Sequence, residues 1–132
     1  VVQLLPTSPF ITAEEIRDFT QITLGDDYDT VVSVKDIQIE CIYKDKPINF
    51  DQKKPTPPSQ ELEPNKSYAC TMMGWRKSNF LTNMGTYGCS YHGGAGKIKL
   101  VWMKCFSEID IDYEEDFQLA EAVWSYLNER NS

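Results

Sequence analysis

The chain has 132 residues and a formal charge of −7, with 41% hydrophobic and 12% aromatic residues. That apolar and aromatic share supports a folded core and excludes an acidic disordered tail. The excess of Asp and Glu leaves no cationic field for general binding to DNA or to an anionic membrane surface, and no apolar run approaches the roughly 20 residues that span a bilayer. The expectation is one domain over 1–132, with no membrane insertion.

The opening Val1–Pro6 is too short, and too poor in basic residues, for a signal peptide. The start at Val1 reads as a processed or boundary terminus. Ile11-Thr12-Ala13-Glu14-Glu15-Ile16 then carries a strong local signal. Thr12 and Glu15 form a capping box, Ile11 and Ile16 a hydrophobic staple, and Ala13, Ile16, Phe19 and Ile22 share a face. A helix is predicted over 12–22, ended by Gly25 in a left-handed conformation.

From Val31 to Lys44 the period changes to two. Ile37, Ile39, Cys41 and Tyr43 fall on one face, while Val32 and Val34 have the opposite parity, which predicts a bulge or break near Lys35-Asp36. Residues 45–66 hold five of the seven prolines and read as a long exposed loop, a candidate binding element. Asn65-Lys66-Ser67 at its end is a glycosylation sequon, making Asn65 a candidate acceptor projecting into solvent.

Tyr68, Cys70 and Met72 alternate as a strand, as do Tyr87, Cys89 and Tyr91, and the strongest alternation runs over 97–106. Residues 74–85 read as a polar connection, and His92-Gly93-Gly94-Ala95-Gly96 as a glycine-rich hairpin turn. A final helix is predicted over 114–129, with Tyr113, Phe117, Ala120, Trp124 and Leu127 on its apolar stripe and Val123 broadening it. Trp102 and Trp124 are assigned to the core. The sum is an α+β fold: an antiparallel sheet of about four to five strands, one face covered by an N-terminal and a C-terminal helix.

Cys41, Cys70, Cys89 and Cys105 are too widely spaced for a zinc knuckle. An even count in a short chain predicts two disulfides, of three possible pairings, and a secreted or extracellular location. Gly93-Gly94-Ala95-Gly96-Lys97 resembles a phosphate loop only superficially. Tyr91 stands where the first glycine is required, Ile98 follows the lysine, and a strand rather than a helix comes next. Six carboxylates within 108–116 lack EF-hand spacing and suit a solvated helix start. No metal or cofactor is expected.

His92 is the one histidine, which removes mechanisms needing two imidazoles. No credible catalytic set follows. The leading expectation is a secreted, non-enzymatic protein-binding domain (an effector, toxin-like ligand or inhibitor) presenting long loops, with Trp75, Arg76, Phe80 and Met84 as binding residues because Trp, Arg and Met favour interface cores. The alternative is a ribonuclease-like hydrolase in which His92 works with a carboxylate such as Glu40, and Arg76 meets the phosphate; RNA is a partner under that reading alone. A third is an intracellular acidic accessory or immunity-type subunit binding a basic protein.

Overall fold

The computed structural model describes residues 1–130 and divides into two compact units. The body comprises Val1–Val34 and the chain from Tyr68 onward; the second unit is Lys35–Ser67.

The body is built on a four-stranded sheet of β1 (Val2–Leu4), β2 (Thr30–Ile37), β5 (Asn65–Trp75) and β6 (Ile98–Trp102), in the order β1-β5-β2-β6. β1 pairs with β5 antiparallel, but β2 pairs with β6 parallel, so the sheet is mixed rather than antiparallel. A parallel neighbour requires a crossover, and the chain from β2 to β6 includes β5 and a helix, α2 (Lys77–Tyr87). That helix occupies the segment expected to be a polar connection and the start of a strand. The expected strand at Tyr87, Cys89 and Tyr91 is therefore absent, and Gly88 closes α2 in the left-handed region at φ 70°.

Alternation along β2 separates two apolar clusters. Val31 joins Phe19, Ala69, Met72 and Met103 on one face, beneath α1 (Ala13–Leu24). Val32 and Val34 join Met73 and Trp75 on the other, where Phe80 of α2 and Leu100 pack. Helices thus cover both faces, not one. The first helix has the expected capping box, whereas Gly25 is extended at φ −66°, ψ 163° rather than left-handed.

β5 contains an irregularity the sequence did not announce. Ala69 and Met72 lie in the same cluster although an odd number of residues apart, because Cys70 adopts φ 53° and inserts a bulge. The buried Ser33 hydroxyl accepts from both Thr71 N (3.2 Å) and Met72 N (2.9 Å), replacing ladder bonds that the bulge disrupts. The predicted break in β2 near 35–36 lies instead after Ile37, where β2 ends.

α3 (Glu114–Arg130) buries Ala120 and Val123, and Phe10, Phe106 and Tyr126 form a chain of ring contacts beside it. Small Ala120 permits close approach, and Asp116 turns back to accept from Asp112 N and Tyr113 N. The buried stripe is consequently rotated from the expected one. Trp124 is 62% and Trp102 45% exposed, so neither is the core residue predicted.

None of the four cysteines is bridged. Cys70, Cys89 and Cys105 are exposed and sit on a bulge, beyond α2 and at the start of a 3₁₀ turn; Cys41 is half-buried. The expected two disulfides are not part of this fold.

The second unit has little core. Leu62 is the one buried side chain among its described residues. β3 (Ile42–Tyr43) and β4 (Lys46–Pro47) form a hairpin whose turn places Lys44 and Asp45 at φ 48° and 62°. The Pro-rich 45–66 segment is not one open loop: it contributes β4, a 3₁₀ turn at Ser59–Glu61 and the first residues of β5.

Candidate functional site

The residues expected to form one recognition patch have separate environments. Trp75 is buried at the end of β5, its indole N–H donating to the Tyr91 carbonyl at 3.1 Å and its ring edge-on to Phe80 at 5.7 Å. Met84 is exposed on α2. Arg76 is committed to the α1–β2 turn: its guanidinium pairs with Asp26 at 3.2 Å and Asp29 at 3.5 Å, and also donates to Gly25 O. It therefore serves as a brace.

That brace continues into the glycine-rich segment. Asn83, buried on α2, donates to Gly93 O at 2.7 Å and Ala95 O at 3.0 Å, and accepts from Ala95 N. Asn79, one turn earlier, also donates to Ala95 O. Asp29 accepts from Lys97 N at 2.9 Å. A side chain at Gly94 would meet Asn83 Cγ at 2.7 Å, and the backbone there is at φ 50°. These contacts hold 93–97 as a clamped loop between α2 and β6. The missed helix did leave a trace: Asn79 and Asn83, four apart, share a face.

His92 is exposed, with Nδ1 3.3 Å from the Tyr68 hydroxyl and its ring against Tyr68 and Tyr91 at 5.5 and 5.2 Å. Burial, and then the neighbouring Tyr91 and Cys70, raise the Tyr68 pKa above the ordinary 10.0. Glu40 is an exposed residue of the second unit. Asn65 stands in β5 rather than in a projecting loop, and its Nδ2, the atom a glycan would modify, is buried.

Three further places hold chemistry or apolar surface. Glu15 lines a cavity of about 350 Å³ with Asp18, Lys104, Cys105 and Ser107. Burial pushes its pKa up, but bonds from Thr12, Ser107 (2.7 Å) and Lys104 N outweigh that and hold it below the ordinary 4.5. With both oxygens occupied, Glu15 is a structural acceptor rather than a base.

The second place is an apolar cavity of about 280 Å³ lined by Val1, Gln3, Trp75, Lys77, Phe80, Leu81 and Tyr91. The third is the surface of the 35–67 unit, where Ile39, Ile42, Tyr43 and Ile48 are each more than half exposed. Among the described residues no group of three or more His, Cys, Asp or Glu side chains could hold a metal ion. No helix among them is long and apolar enough to cross a membrane. No known protein family and no curated protein matches the chain.

Proposed function

We propose that the chain is a non-enzymatic protein-binding domain whose principal contact is the 35–67 unit. One observation carries this reading: Ile39, Ile42, Tyr43 and Ile48 stand exposed within ten residues, on a unit with a single buried side chain among its described residues. Scattered exposed apolar residues need no explanation, but bulky ones concentrated on a small hairpin unit mark an interaction surface.

Charge specifies the partner. Residues 35–67 contain six Lys and six Asp or Glu, so the unit is neutral and the whole formal −7 belongs to the body. The partner presents an apolar, near-neutral face, and binding is expected to change little with salt. An acidic subunit docking on a basic partner would weaken steeply with salt, because exposed charge pairs are screened within about 8–10 Å at ordinary ionic strength.

The hydrolase alternative has less support, with Arg76 committed to Asp26 and Asp29 and His92 held against two tyrosines. Binding needs no oxidising compartment, since the body is held by its apolar clusters and polar braces. An extracellular location is a separate proposal, tested by alkylating native-source protein without reductant: blocked cysteines support it and four reactive thiols oppose it.

A photo-crosslinking residue at Ile42 in the native source, with one at exposed Gln21 as control, tests the binding surface. The expected result is one protein trapped from position 42 alone. Once purified, it should bind the wild type and lose at least about tenfold affinity for the Ile42→Ser/Tyr43→Ser variant, equivalent to about 1.4 kcal/mol, with an unchanged circular dichroism spectrum. Equal affinity for both proteins, or trapping from both positions, would overturn the reading.

A further inference from the structure

α3 buries only Ala120 and Val123 of its own side chains. Tyr113, Phe117 and Trp124, spaced by four and then seven residues, share a stripe and stay 74%, 47% and 62% exposed. Between that stripe and the segment before α1 runs a groove of about 250 Å³, whose lining includes Pro9, Phe10, Phe117, Ala120, Glu121 and Trp124. Ala120 ends at its Cβ, which leaves room on the helix surface between Phe117 and Trp124 for a ridge of side chains from another element. All of these residues belong to the body.

Charge selects what the groove takes. Residues 108–130 hold eight Asp or Glu and one Arg, so the formal −7 of the whole chain falls on α3 and the segment leading into it, while the rest is balanced. Glu121 lies in the groove, four residues from Phe117 and three from Trp124, and no ion pair among the described residues involves it. A second copy docked here would set −7 against −7, and an anionic lipid surface would meet the same repulsion. An apolar face among carboxylates is matched instead by an apolar face rimmed with Lys or Arg.

We propose that this groove docks a basic amphipathic helix of another protein. Its apolar residues at i, i+3, i+4 and i+7 pack against Phe117, Ala120 and Trp124, and its Lys or Arg side chains face Glu121 and the carboxylates around it. From Tyr113 to Trp124 the stripe runs about 17 Å, about three turns, the span such a helix would cover. Burial of the rings supplies affinity, while the charges speed encounter and reject acidic competitors. The 35–67 unit takes no part, so either proposal stands if the other fails.

The test titrates the full chain into three labelled synthetic peptides, read by fluorescence anisotropy. One is a Leu/Lys peptide with leucines at that helical spacing, one a scrambled peptide of the same composition, and one the Leu/Glu counterpart of the first. The patterned Leu/Lys peptide is expected to bind saturably, at least about tenfold more tightly than the scrambled one, and the Leu/Glu peptide not to bind. Phe117→Ser/Trp124→Ser, at exposed positions, should cost at least about tenfold with an unchanged circular dichroism spectrum. Glu121→Gln should cost about two- to fourfold, and less at high salt. Ile42→Ser/Tyr43→Ser should leave the affinity unchanged. Equal affinity for the patterned and scrambled peptides, or undiminished binding by the Phe117/Trp124 variant, would overturn the proposal. So would a dimer of the chain alone, or binding to phosphatidylglycerol vesicles, that this variant abolishes, since the face would then belong to a second copy or to a membrane.

Discussion

In the body, Phe19, Val31, Val32, Val34 and Met72 are at most 1% exposed and pack from both faces of a continuous sheet. In the 35–67 unit the work passes to amide side chains. Gln38 Nε2 donates to Gln60 O (2.7 Å) and Leu62 O (3.2 Å). Asn49 Nδ2 donates to Ile39 O and Glu63 O, while Asn49 Oδ1 accepts from Cys41 N. Isoleucines that a larger unit would bury are left outside. A segment of this size cannot bury enough apolar surface to offset its chain entropy, so directional bonds define its shape and its apolar side chains stay available to a partner.

Five substitutions would break or sharpen that contrast. The largest effect is expected from Phe19→Ala, which empties a fully buried site and should cost about 3–5 kcal/mol in urea unfolding. Leu62→Ala, with little packed around it to relax or collapse, should cost less. Equal losses would mean that the second unit has a core after all.

Asn83→Ala comes next. It removes the clamp on the 93–97 loop and takes the buried Gly93 carbonyl's Asn83 partner away, for an expected loss of about 1–3 kcal/mol in the same measurement. A loss below about 0.5 kcal/mol would show that the brace is dispensable.

Asn49→Ala should act locally, raising hydrogen exchange across 38–63 by the equivalent of about 1–3 kcal/mol while β2 amides of the body stay protected. Uniform acceleration throughout the chain would contradict separate stabilisation of the two units.

The smallest effect concerns pH. Glu15 has its folded pKa held below the ordinary 4.5, so its carboxylate stabilises the fold above that value and the contribution is lost as pH falls through the lowered folded pKa. The stability gap between wild type and Glu15→Gln should therefore be constant from pH 7 to about 5 and narrow on acidification below about 4.5. A gap that widens there would reverse the sign assigned to Glu15.

Local chemistry was readable where a few neighbouring residues suffice. The Thr12–Glu15 box placed α1, and the acidic start and periodic stripe placed α3. α2 was hidden because Asn, Thr and an internal Gly are weak helix formers; contacts from Asn79 and Asn83 to a loop ten or more residues away compensate. The Cys70 bulge was hidden for a similar reason, since its repair comes from Ser33 on another strand. Of the expected binding residues, sequence could group Trp75, Arg76 and Phe80, but burial placed the first in the core and ion pairing made the second a brace.

The sequence by itself determined the α+β class, the terminal helices and a strand entering near Val31. It also located the Pro-rich region that forms most of the second unit. Tertiary structure alone decided the parallel pairing of β2 with β6, the unbridged cysteines, the outward tryptophans and the inward Asn83. The division has a physical cause. Caps and periodicity act between residues a turn or a pleat apart, whereas strand order, bulge repair and polar clamps depend on partners brought close only once the chain has folded.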